Sequence, residues 1–198
     1  KELLRNSLNS IFLGWYPSIY DKGIPPKLWY SNYINTYIEK DVRQLLNIRD
    51  IHKFKRFLEI CASSAGQLFV LENIIKIAGV SKNTAYHWLS ILEQTFIIYF
   101  LRPSHRNYKK IILKTPKLYF YDTGIICSLL NLTEKSIKNP NNIDIYGHLF
   151  ENMIVSEIKK ELHNLNISYN LYYWRDDKGN NEVDLLIEKD RNYIPIEI

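Results

Sequence analysis

Three acidic residues carry the chemical interest of this sequence: Glu151, Asp184 and Glu197. The last 19 residues, NNEVDLLIEKDRNYIPIEI, read as two strands around a tight turn, with Asp184 and Glu197 set among apolar residues. If the turn is KDRN, residue 188 faces 193, and counting back puts 184 opposite 197. A two-residue turn at Asp190 and Arg191 gives the same register. Directly opposed residues hold their Cβ atoms about 5 Å apart, and two like charges so placed repel. A divalent cation between them reverses the sign of that interaction.

Glu151 belongs to the same argument. Residues 147–163 read as a helix with Ile154, Val155, Ile158 and Leu162 on one stripe, and Glu151 shares that face. A carboxylate on a core-facing stripe needs a partner, because an unpaired buried charge is costly. Three acids around one Mg²⁺ would activate a water and polarise a phosphate, the chemistry of phosphodiester hydrolysis. The competing reading is plainer: Asp184 and Glu197 are solvated face residues and Glu151 sits at the edge of its stripe.

A second constellation is basic. Between Arg102 and Lys117 the chain carries Arg102, His105, Arg106, Lys109, Lys110, Lys114 and Lys117 with no acid. Just before it, LENIIKIAGVSKNTAYHWLSILEQTF reads as two helices joined at Gly79, with Ser81 capping the second. That is the helix-turn-helix pattern. The strand-like runs FIIYFL and KLYFY follow, so the basic stretch reads as the wing of a winged helix. Lys82, Asn83, Thr84, Tyr86 and His87 then stand near the N-terminus of the recognition helix, where base edges are met. Arg102, Arg106, Lys109, Lys110 and Lys114 would meet phosphates. Protein contacts are the alternative use of such a module. His52, His105 and His163 read as surface histidines.

The elements that must position these groups are legible in outline. Helices are expected over 1–13, 27–46 and 51–64, with a Gly/Pro loop between the first two. Asp122 reads as the N-cap of a helix beginning at DTG. The same three letters are the aspartic protease signature, but that chemistry needs two such loops and the sequence has one. Strands are expected near 169–174, 182–188 and 193–198. The polar stretch TEKSIKNPNNIDIY is the candidate boundary between domains at 26–131 and 144–198.

Composition bounds the rest. The 198 residues are 46% apolar, which suffices for a packed core and argues against wholesale disorder. A net charge of +5 suits nucleic acid without demanding it. Cys61 and Cys127 lie in apolar helical surroundings and read as buried, inert thiols of a reducing cytoplasm. No apolar run is long enough to cross a bilayer, and no signal peptide opens the sequence. No phosphate-binding loop of the G-x-x-x-x-G-K-[ST] type occurs, so no ATPase activity is expected of this chain alone.

At YINTYIEKDVRQLLNI, FKRFLEICASSAGQLFVLENIIKIAGVSKNTAYHWLSILEQTFIIYFL, PKLYFYDTGI, GHLFENMIVSEI and LYYWRDDKGNNEVDLLIE with YIPIEI, the chain resembles the uncharacterised C-terminal region of prokaryotic AAA-type ATPases. The resemblance runs from about residue 30 to the end. It implies an α+β fold: a helical and winged-helix domain, then an α/β restriction-endonuclease-like domain truncated at its C-terminus. In that superfamily the motif is a helix glutamate, a strand aspartate and a Glu-x-Lys on the next strand. These map to Glu151, Asp184 and Glu197, as catalytic and metal-binding residues, with the lysine falling one residue beyond Ile198. The implied cofactors are Mg²⁺ here and ATP in a separate N-terminal module, whose lid would end in residues 1–25. Two functions remain open: Mg-dependent DNA cleavage by the full-length protein, or a non-catalytic module that binds DNA or a protein and serves the ATPase as a scaffold.

Overall fold

The computed structural model describes residues 2–37, 40, 42, 51–104, 114–137, 143–176, 178–190 and 192–198. Helices α1 (Glu2–Leu13), α2 (Pro17–Lys22), α3 (Pro26–Tyr37) and α4 (Ile51–Ser63) come first. Strand β1 (Gln67–Leu68), helices α5 (Leu71–Ala78) and α6 (Lys82–Gln94), and strands β2 (Ile98–Pro103) and β3 (Lys117–Phe120) follow. Helices α7 (Thr123–Leu129), α8 (Glu134–Ile137) and α9 (Ile143–Asn164) lead into strands β4 (Asn170–Arg175), β5 (Glu182–Lys189) and β6 (Asn192–Ile196). The fold is therefore mixed α+β. Helix α2 occupies part of the expected Gly/Pro loop: Pro17 sits at its first turn, where a missing N–H costs nothing, and Gly23 ends it in the left-handed conformation.

The six strands among the described residues form one sheet in the order β1-β3-β2-β4-β5-β6. Strands β2 and β4 run parallel and join the two expected domains, with Arg102 opposite Tyr172 and Pro103 opposite Tyr173. The last hairpin has the register read from the sequence, Glu188 opposite Tyr193 and Leu185 opposite Ile196.

Strand alternation sorts the apolar residues into two cores. On one face of β2 and β3, Ile98, Leu118 and Phe120 pack with helical residues such as Tyr30, Phe54, Leu58, Trp88, Leu92 and Ile125. On the other, Tyr99, Leu101 and Tyr119 pack with Val155 of α9, Tyr173 and Leu185. Because β1 reaches only Leu118 and Lys117, no strand among the described residues lies beside the backbone of Phe120 on that side. The buried Asn152 of α9 fills that place: its Oδ1 accepts from Phe120 N at 2.8 Å and its Nδ2 donates to Phe120 O at 2.9 Å. An amide side chain thus closes the ladder that a longer strand would have closed. Cys61 and Cys127 are both buried free thiols, and burial pushes the Cys127 thiol up to about 12.

Candidate functional site

Lys117 opens β3 and alternates with the inward Leu118, so its side chain enters the face covered by α9. This corrects its place in the expected basic ribbon: Lys117 is 4% exposed. Its Nζ lies 2.9 Å from Glu151 Oε1, 3.5 Å from Asp184 Oδ1 and in contact with Glu182 Oε1. The ring of Tyr173 lies 5.7 Å from the same ammonium.

Each acid is held by a different device. Tyr119, two residues along β3 and hence on the same face, donates to Glu151 Oε1 at 2.5 Å. Asp184 Oδ2 accepts the backbone N–H of Ile198 at 3.0 Å. Glu182 Oε2 lies 3.5 Å from Arg175 Nε. Burial alone lowers the pKa of Lys117, but Glu151 and Glu182 outweigh it and hold the ammonium above its usual value. Burial, with the charge of Glu151, raises Tyr119, so it remains a donor.

Glu151 and Asp184 are thus brought together, from a helix and a strand, on a shared cation. Glu197 is exposed and makes no ion pair with Lys117 among the described residues. Strand β6 ends at Ile196, so Glu197 lies just past the ladder that would have fixed it opposite Asp184. Two partners escaped the sequence reading. Glu182 is two residues before Asp184 on the same strand, and period-two alternation alone places both on one face. Lys117 heads the run KLYFY, whose alternation sets 117 and 119 on one side.

A divalent ion such as Mg²⁺ demands several oxygen ligands at about 2.1 Å in near-octahedral geometry. Here the space between the carboxylates holds an ammonium. Among the described residues no group of three His, Cys, Asp or Glu side chains is arranged to hold a metal ion. As arranged, the site does not fit the ion.

The second constellation lies on α5 and α6. Gly79 (φ 67°) ends α5 in the left-handed region, and Ser81 Oγ accepts from Thr84 N at 3.1 Å to cap α6. Ala85, Trp88, Leu89, Ile91 and Leu92 bury one face of α6, which leaves Lys82, Asn83, Tyr86 and His87 exposed on the other. Thr84 is half-buried, its hydroxyl 2.8 Å from Ser81 Oγ. Lys82 lies 3.5 Å from Glu72 of α5 and 5.8 Å from the Tyr86 ring. Arg102 is exposed on β2, Lys114 is half-buried, and His105, Arg106, Lys109 and Lys110 lie outside the described residues. No helix among the described residues is long and apolar enough to cross a membrane.

Comparison with known proteins adds two matches. Residues 146–198 match the model of DUF4143, a domain of unknown function. Residues 5–136 match DUF8612, also a domain of unknown function. Lys117 falls in the DUF8612 match, whereas Glu151, Glu182 and Asp184 fall in the DUF4143 match. The chain is 28% identical over 178 residues to the uncharacterized proteins Mb2031c of Mycobacterium bovis and Rv2008c of Mycobacterium tuberculosis. The alignment covers 84% of this chain and 38% of each relative, so the chain spans well under half the length of the curated relatives it matches. No solved structure matches it. With two thirds of its length under one family model, the chain belongs to the DUF8612 family of domains of unknown function.

Proposed function

We propose that this chain is the DNA-binding part of a longer, ATPase-associated protein, with its C-terminal half a nuclease-like scaffold. The observation that carries the reading is the exposed polar half of α6, standing on a helix pair whose other face is buried. The element order supports it: a helix pair with a three-residue turn, then the β2–β3 hairpin, is what a winged helix requires. The helix–strand–strand–strand run of α9, β4, β5 and β6, with Glu151 on the helix and Asp184 on the middle strand, is what a restriction-endonuclease-like half requires. In this reading Lys82, Asn83, Tyr86 and His87 approach base edges, and Arg102 with the basic stretch after it meets phosphates.

Fluorescence anisotropy with a labelled duplex tests the proposal. Binding should weaken steeply with salt, because each phosphate contact releases counterions. Tyr86→Glu with His87→Glu should cost roughly tenfold or more in affinity, about 1.4 kcal/mol. Lys109→Glu with Lys110→Glu should flatten the salt dependence. No binding at low salt, or affinity indifferent to both double variants, would leave protein contact as the module's use.

The second reading, hydrolysis of DNA, draws on the convergence of Glu151 and Asp184. It requires a divalent ion where Lys117 now stands, and no hydrolytic step follows from this arrangement. Cleavage of a duplex by the full-length protein with Mg²⁺ or Mn²⁺, abolished by Asp184→Ala, would establish it over the scaffold.

A further inference from the structure

Three carboxylates that converge must be neutralised from somewhere, and here the neutralising charge belongs to the chain. We propose that Lys117 is the resident cation of the acid site. It excludes divalent ions from Glu151, Glu182 and Asp184, and its side chain locks the two family segments together. The ammonium is buried, with a carboxylate on each of three sides, from α9 and from two alternate positions of β5. A tethered lysine cannot diffuse away, so a free ion must displace it. The displaced ammonium would leave its three partners and remain on a stem buried beside Tyr173. That displacement strands a buried charge, which is strongly unfavourable.

The converse follows from the same geometry. Without Lys117, Arg175 is the cation left beside Glu182 among the described residues, and Glu151 and Asp184 lose the ammonium they share. Such a cluster recruits a cation, and its all-oxygen donors select hard ions such as Mn²⁺, Mg²⁺ or Ca²⁺. Among the described residues no three acids stand ready to hold a metal, so in the absence of Lys117 these carboxylates must draw together around the ion they recruit. The inference is independent of DNA binding and predicts that the wild-type chain has no metal for hydrolysis.

Lys117→Met keeps the length of the stem and removes the charge. Mn²⁺ binding, followed by electron paramagnetic resonance and by melting temperature, should be unsaturable in the wild type. In Lys117→Met it should saturate at one ion per chain and raise the melting temperature. Adding Asp184→Asn to that variant should cancel the gain. Saturable wild-type binding that Asp184→Asn abolishes would overturn the proposal, as would identical behaviour of wild type and Lys117→Met. Should Lys117→Met fail to fold, amine acetylation of the wild type read by mass spectrometry decides. Lys117 should be among the slowest lysines to react with or without Mn²⁺, and acceleration by Mn²⁺ would overturn the idea.

Discussion

Asp122 shows how much one buried carboxylate can hold. Its Oδ1 accepts from Gly124 N at 2.8 Å and from the Tyr30 hydroxyl at 2.7 Å, and its Oδ2 accepts from Trp15 N at 2.7 Å. It therefore caps α7 and ties that helix to α3 and to the turn after α1. The site is close-packed: a Cβ on Gly124 would lie 2.1 Å from Tyr30 Cζ. With all three bonds structural, the carboxylate has no freedom for the chemistry its DTG context suggests. Asp122→Ala should lose about 3 kcal/mol of stability, since charge-assisted bonds vanish and buried donors are orphaned. Urea unfolding measures it, and a loss under about 1 kcal/mol would refute the hub role. The cap was legible because it is local, two residues away. The bonds to Tyr30 and Trp15 were not, because they span 92 and 107 residues. Lys117 was misread for the same reason: its charge is visible in the sequence, but its acids lie 34 or more residues away.

At the scale of elements, the turn between α5 and α6 fixes the direction of the proposed recognition helix. Gly79 has φ 67°, and a Cβ there would meet nothing within 4 Å. A substitution would thus act through backbone conformation alone. Gly79→Ala should cost about 1 kcal/mol, the usual penalty for an L-residue in the left-handed region. Ser81→Ala should cost about 1 kcal/mol as well, through the lost cap. The two should differ in binding: by changing the turn, Gly79→Ala should weaken duplex affinity beyond what Ser81→Ala does. Equal affinities of the two folded variants in the anisotropy titration would show that the turn does not set the helix's aim. Periodicity made α4, α5 and α6 readable, and alternation with a tight turn made the β5–β6 register readable. Strand β1, at two residues, carries no periodicity to read. The parallel β2–β4 pairing joins strands about 70 residues apart, and nothing local announces such a contact.

At the scale of the molecule, the two matched segments are joined by interactions of several kinds. The sheet continues from β2 to β4, and Ser104 N donates to Tyr173 O at 2.6 Å just past the paired residues. The hydroxyls of Tyr99 and Ser156 lie 2.9 Å apart, and Ser156 Oγ donates to Phe120 O at 2.8 Å. Asn152 completes the ladder of β3, and Lys117 spans from β3 to α9 and β5. The second core has Tyr99, Leu101 and Tyr119 from one segment and Val155, Tyr173 and Leu185 from the other, so neither segment buries that face alone. A molecule built this way should unfold as one cooperative unit despite its two family matches. Native-state hydrogen exchange in rising urea tests this, because amides that open only on global unfolding share one limiting free energy and one denaturant slope. Peptides covering 117–129, 149–156 and 182–187 should converge on that common limit. If 182–187 exchanges through a separate, shallower opening while 117–129 stays protected, the halves are independent and Lys117 does not lock them.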